Sequence, residues 1–237
     1  MTKKIAKKII RRPGRPTGDR ATRETILDIA EQEFAMRGFA GTSLREIAER
    51  AEVNQALINY YFGTKQKLFG EVFKRRGLQI TDRRIELLDE LEAANKAPSL
   101  QDIVRAFLTP SFEMRDMGAG GMAFVRLQSR LHYEPEDLAM NLRREVYDLS
   151  TRRYVKAFMK VLPKVDPADV YWRMAFMIGS LLYMLSGLYR LEDLSEGQYK
   201  GAVASDEIID RMTTFMVSGL EAPTGRTKKK ASIRKAH

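Results

Sequence analysis

The stretch from Thr42 to Lys65, TSLREIAERAEVNQALINYYFGTK, limits most narrowly what this chain can fold into. Leu44, Ile47, Ala48 and Ala51 recur at i, i+3, i+4 and i+7, the spacing of one buried helix face, and Thr42 or Ser43 stands where a helix cap belongs. Asn54 is placed to cap a second helix directly after. The residues Glu52 to Asn54 leave room only for a tight turn, and apolar Val53 suits a turn packed under two crossing helices. The second helix, Gln55 to Phe62, buries Ile58 and Phe62 and leaves Gln55, Ala56, Leu57, Asn59 and Tyr60 on its remaining surface. This spacing also occurs in proteins that never touch DNA. What favours a nucleic-acid partner is the outer face itself, which carries no acidic side chain from Gln55 to Tyr61 and so suits a polyanion.

Leu44-Arg45-Glu46-Ile47-Ala48, Val53-Asn54 and Tyr60-Tyr61-Phe62-Gly63-Thr64-Lys65 together resemble the DNA-binding domain of the tetracycline-repressor (TetR) family, over roughly Ala21 to Phe69. Glu52, where the family usually has glycine, and Asn59, where an aromatic is common, are departures. The second bears on which bases are read rather than on the fold. The resemblance implies an all-α chain in which a helical effector-binding and dimerisation domain follows the helix-turn-helix. On this reading residues 1–20 are a basic arm, 21–67 the DNA-binding domain, 68–222 the larger bundle and 223–237 a basic tail.

A chain of 237 residues can bury a core as one large or two modest domains. There is no cysteine, which excludes disulfides and thiolate metal sites and fits a reducing cytoplasm. With only His132 and His237, a histidine metal site or catalytic triad is not expected either, and no cofactor is implied. The formal charge of +10 is concentrated at the ends. Residues 1–20 hold eight basic side chains against Asp19, and residues 223–237 hold six against none, so the body between them carries a net −3. Basic ends on an acidic body are what arms following a phosphate backbone require. MTKKIAKKII has no apolar core of a secretory signal; its lysines around Ile5 and Ile9 could instead form a basic amphipathic turn on a membrane or on DNA. In Arg11-Arg12-Pro13-Gly14-Arg15-Pro16, prolines and glycine hold Arg11, Arg12 and Arg15 on extended backbone, the shape a narrow minor groove accepts. The segment resembles the Gly-Arg-Pro core of AT-hook peptides; the alternative is a solvated basic leader.

Helical periodicity continues along the chain. Ala21 to Arg37 carries Ile26, Ile29, Ala30 and Phe34 on one stripe, with Gly38 to end it. Lys65 to about Lys96 reads as one long or kinked helix, a rigid lever from the reading head into the larger bundle. Ser99 to Met117, Met122 to Tyr133, Pro135 to Val161, Pro167 to Leu191 and Ser205 to Leu220 are further helices, separated by glycine and proline breaks. MAFMIGSLLYMLSGLY, from Met174 to Tyr189, carries no charge. It falls short of the roughly 20 apolar residues a bilayer span needs, so stable membrane insertion is not expected. A helix apolar all round must be buried all round, one side in a core or pocket and the other against a second subunit. Gly179, Ser180, Ser186 and Gly187 would permit close approach there, and Ile208, Met212, Phe215 and Met216 of the last helix would complete a four-helix homodimer seam.

No phosphate loop follows a strand, and neither His-Glu-x-x-His nor Gly-x-Ser-x-Gly occurs, so an enzyme is not expected. Glu134 with Glu136 and Asp137 reads as a helix cap rather than an acid–base pair. A dimer carries two reading helices one or more helical turns apart and so demands a palindromic operator in double-stranded DNA. Gln55 and Asn59 suit adenine edges, Ala56 and Leu57 thymine methyls, and Arg45 guanine, with Asn54 opening the reading helix. Thr42, Ser43, Tyr60, Tyr61, Thr64 and Lys65 are placed for phosphates, although Ser43 reads equally as a cap and Tyr61 as core.

From Phe124-Val125-Arg126-Leu127, through Arg153-Tyr154, to the run Tyr171 to Gly179, the chain is similar to the effector domain of fatty-acid-responsive TetR regulators of the PsrA type. That resemblance implies a small apolar effector, a long-chain acyl group, among Tyr154, Trp172, Phe176 and Met177, with Arg126 or Arg173 meeting its carboxylate. The alternative is that both arginines make structural salt bridges. Two other functions stay open on the residues alone: a ligand-blind DNA-binding protein with a solid core, and a helical interaction protein whose basic ends touch membrane.

Overall fold

The computed structural model describes residues 18–94, 97–187, 190–200 and 203–223. Among the described residues ten helices follow one another: α1 (Asp19–Gly41), α2 (Leu44–Arg50), α3 (Gln55–Phe62), α4 (Lys65–Ala93), α5 (Leu100–Asp116), α6 (Ala119–Arg130), α7 (Glu136–Val161), α8 (Pro167–Ser186), α9 (Leu191–Leu194) and α10 (Ser205–Glu221). A single 3-10 turn, Leu131–Tyr133, joins α6 to α7, and there is no strand among the described residues.

Capping chemistry sets the starts of α2, α3 and α4. Ser43 and Glu46 form a capping box on α2, each satisfying the other's backbone N–H, and this holds the Glu46 carboxyl below the usual carboxylate range. Asn54 Oδ1 accepts the Ala56 N–H at 2.8 Å to open α3, and Thr64 caps α4 through the Lys67 N–H. Gly38 breaks the α1 helix with φ 73 and ψ 178, where the sequence expects it to end, but one more turn runs on to Gly41. α8 stops at Ser186 rather than reaching Leu191, because Gly187 takes the left-handed conformation (φ 69, ψ 11) that terminates helices.

α1, α2 and α3 pack on the N-terminal half of α4. Phe34 meets Phe69 edge-on at 4.9 Å, and Phe39 does the same at 5.5 Å, each pair adding about 0.5–1.5 kcal/mol to its burial. The buried carboxylate of Glu31 on α1 accepts from Arg75 (2.7 Å) and Arg76 (2.8 Å) on α4, riveting the two helices with charge as well as contact. The C-terminal half of α4 turns Gly77, Ile80, Thr81, Arg84 and Leu88 into the larger bundle of α5, α6, α7 and α8. At Gly77 a Cβ would stand 2.6 Å from Val146, so glycine sets how closely α4 and α7 approach. α10 lies along α5.

A second tie joins the small helical head to the bundle. Glu134, expected to cap α7, instead accepts the Phe39 N–H through both carboxylate oxygens (3.0 and 3.2 Å), while Arg130 donates to the Met36 carbonyl (2.9 Å). Pro135 occupies the cap of α7. The cause is the exposed amide left by the Gly38 break, which a local cap motif in the sequence could not announce.

Glu52, in the turn between α2 and α3, has φ 54. A side chain in that region costs about 1–2 kcal/mol, partly offset by the greater freedom of glycine in the unfolded chain. Glu52→Gly is therefore expected to raise the free energy of unfolding by about 0.5–1 kcal/mol in denaturant titration. A decrease would show that the glutamate side chain itself holds the turn.

Candidate nucleic-acid interface

α3 stands out from the small head with Ile58 and Phe62 buried beneath it. Gln55, Ala56, Asn59 and Tyr60 are exposed and Leu57 is half-buried, so the outward face is the one the periodicity predicts. Arg45, on α2, is exposed and held by Glu49 at 2.9 Å, an i,i+4 pair that a guanine edge would have to displace. Ser43, Thr64 and Asn54 are exposed, and each also caps a helix.

Three of the residues expected at phosphates are otherwise occupied. Thr42 is 2% exposed, and its hydroxyl donates to the carbonyls of Gly38 (2.8 Å) and Glu33 (3.2 Å), so its side chain is not on the outer surface. Lys65 donates to the Thr42 carbonyl (2.9 Å) and lies 4.4 Å over the Phe39 ring. Its ammonium secures the link between α1 and α2. The Tyr61 phenol donates to the Asp19 side chain and carbonyl, tying α3 to the start of α1. Thr42 and Lys65 serve backbone carbonyls at the C-terminal end of α1, and Tyr61 serves the Asp19 carboxylate at its start, destinations that spacing in the sequence does not reveal. Arg11, Arg12 and Arg15 lie outside the described residues.

Residues 26–72 match the family described as bacterial regulatory proteins, tetR family, and residues 105–219 match the tetracyclin repressor-like, C-terminal domain, together more than half the chain. The chain belongs to the TetR family of transcriptional regulators. An HTH-type transcriptional repressor of Mycobacterium tuberculosis is 44% identical over 66 residues, which are 28% of this chain and 35% of that protein. The match thus spans about a third of the length of that curated relative. Across the whole fold, a TetR-family regulator from Bordetella parapertussis superposes with a TM-score of 0.63 at 18% identity, covering 85% of this chain and 97% of that one. The fatty acid degradation regulator FadR from Bacillus halodurans gives 0.60 at 15% identity, covering 90% and 100%. At such identities the likeness is one of fold.

Within this TetR-family fold the six residues expected around a ligand do not all meet: Arg173, Phe176 and Met177 line one shallow cleft between α8 and α10, with Trp172 beside Phe176, while Arg126 and Tyr154 lie elsewhere. Tyr154 is fully buried, edge-on to Phe107, and donates to the Arg84 carbonyl at 2.8 Å. Arg173 caps the end of α10 through the Leu220 and Ala222 carbonyls, and Arg126 is exposed on α6. Trp172 and Phe176 lie on the outside of α8, and Met177 faces inward beside them. The apolar residues of α8 divide into two stripes. Val170, Met174, Met177, Leu181 and Leu185 enter the core, while Trp172, Phe176, Gly179 and Tyr183 face out.

The expected seam is divided in the same way. Ile208, Met212 and Met216 are buried on the inner face of α10, whereas Phe215 is 74% exposed beside Phe176 at 65%. Gly179 is exposed, Ser180 and Ser186 are half-buried, and Gly187 serves as a helix terminator. Between α8 and α10 runs a shallow cleft of about 180 Å³ lined by Phe176, Ser180, Phe215 and Gly219.

Inside the larger bundle a cavity of about 250 Å³ lies between α4, α5, α6, α7 and α8, with Arg84, Phe107, Gln128, Tyr147 and Leu181 among its walls. Sequence reasoning missed this group. One signal was available: Arg84 stands in register with Gly77, Ile80, Thr81 and Leu88, a charge on an otherwise buried stripe. Among the described residues no group of three or more His, Cys, Asp or Glu could hold a metal, and no helix is long and apolar enough to cross a membrane.

Proposed function

We propose that the protein is a dimeric, ligand-responsive repressor, acting in the cytoplasm, that grips a palindromic operator with one α3 from each subunit. The observation that carries this reading is the exposed, acid-free face of Gln55, Ala56, Leu57, Asn59 and Tyr60 on a helix fixed at both ends. Its amides suit adenine edges and its methyl groups thymine. The apolar outer stripe of α8 with Phe215 of α10 supports a second copy as the partner, since a patch of this kind on a regulator that needs two reading heads is an interface. The cavity between α4 and α8 supports a small effector. α4, the packing of α1 on α6 and the contact of Glu134 with Phe39 are attachments through which a change in the bundle reaches α2 and α3. A ligand that favours a dimer with wrongly spaced heads weakens DNA binding by its difference in affinity for the two states.

The test is made on an operator selected from a random duplex pool. Gln55→Ala and Asn59→Ala should each lose about 1–3 kcal/mol on that operator and little on unrelated DNA. Lys65→Ala should chiefly lower stability, because its ammonium serves the Thr42 carbonyl. Should both amide variants keep full discrimination while Lys65→Ala alone abolishes it, the reading residues lie elsewhere.

A further inference from the structure

Arg84 is 3% exposed, yet no carboxylate among the described residues meets it. Its Nε donates to the Phe107 carbonyl (2.9 Å) and one terminal nitrogen to Ser111 Oγ (3.1 Å), and the guanidinium lies 3.9 Å from the Phe107 ring centre. Neutral acceptors leave the charge itself uncompensated, and burial pulls its pKa down to about 10. Two more polar groups on the same cavity lack partners: the Tyr147 hydroxyl and the Gln128 side-chain oxygen, both buried. Burial pushes the Tyr147 phenol up, so it stays a proton donor. Gln128 can offer an amide N–H by turning over. The nearest acid on the cavity wall, Asp148, is paired with Arg152 at 2.8 Å. Arg143, at the rim, meets the His132 ring nitrogen at 3.0 Å rather than a carboxylate. A cavity thus holds a buried cation, a second cation at its rim and two unmet hydrogen-bonding groups, over walls that include Phe107, Leu131 and Ile178.

We propose that this cavity receives a small organic carboxylate: Arg84 is its counter-ion, Tyr147 and Gln128 donate to its oxygens, and its apolar body lies along Leu131 and Ile178. A planar carboxylate matches the guanidinium fork better than a neutral amide does. A cavity of about 250 Å³ suits a short or single-ring acid better than a long acyl chain or a coenzyme A thioester. The proposal rests on the regulator reading for its consequence: the ligand would touch the lever α4 at Arg84 and, at Leu131, the turn that leads to Glu134.

Calorimetric titration of the full chain with benzoate and hexanoate, against benzamide and hexanamide, is the test, with operator binding measured in parallel. The acids should bind the wild type at least tenfold more tightly than the amides. Arg84→Met should lose that preference while keeping its helical spectrum, and Gln128→Leu should weaken the acids several-fold. Where Arg84→Met fails to fold, the acid-over-amide ratio on the wild type decides alone. Equal binding of acids and amides, undiminished acid binding by Arg84→Met, or no binding of either acid at millimolar concentration would overturn the proposal. If the wild type grips the operator but takes up no acid, this inference fails and the regulator reading stands; acid uptake without operator binding is the reverse.

Discussion

Phe176→Asp combined with Phe215→Asp is expected to yield a folded monomer whose affinity for a palindromic operator is lower by about two to four orders of magnitude. Both rings are mostly exposed on a single chain, on neighbouring helices, with Trp172 and Tyr183 continuing the patch. An aspartate in the centre of such an apolar interface must be desolvated without a partner, and two of them in each subunit meet their copies across a twofold seam. The core stripe of α8, Met174, Met177 and Leu181, is untouched, so the fold should persist. What is lost is the linkage of two reading heads, and with it the gain that a second tethered contact confers. Sedimentation should show the monomer, circular dichroism an unchanged helical content, and a single half-site should be bound as before. A dimer that survives both substitutions would place the seam elsewhere.

The second large effect lies between α1 and α4. Glu31→Ala should destabilise the protein by about 3 kcal/mol, because it strips a carboxylate that is 1% exposed from Arg76, which meets no other among the described residues, and from Arg75, which keeps Asp28 at 2.8 Å. Glu24, which meets Arg75 at 3.3 Å in a far more exposed setting, provides the comparison: Glu24→Ala should cost under about 1 kcal/mol. Denaturant midpoints of the two variants would distinguish them. Against a total stability of about 5–15 kcal/mol, the first loss is a large part of the whole. A cost below about 1 kcal/mol at Glu31 would mean that apolar packing around Phe34 and Phe69 carries the junction without it.

Most of the helices were legible because they are amphipathic and end near a glycine or proline; α9, a single turn from Leu191 to Leu194 with no buried side chain, was not. The turn from Glu52 to Asn54 and the outer face of α3 could be read for the same reason. What could not be read was the destination of long polar side chains. Thr42, Lys65 and Tyr61 look like phosphate contacts on spacing alone, but each finds a partner near the start or end of α1. Glu134 reaches back 95 residues to Phe39. The uncharged run that begins at Met174 in α8 carries no polar stripe to orient it, so hydropathy could not separate Met177, which faces the core, from Phe176, which faces out. Arg84 shows the opposite case, since its place on a buried stripe was visible without any hint that Gln128 and Tyr147 would face the same cavity.

The central claim is that paired copies of α3 read DNA. Hydroxyl-radical footprinting of the protein on duplexes selected from a random pool tests it most directly. The expected pattern is two protected half-sites related by a twofold axis, their centres one helical turn or a multiple apart, with protection lost from both in Asn59→Ala at the same protein concentration. Selection that yields no shared sequence, or protection that is uniform along the duplex and unchanged in Asn59→Ala, would contradict it.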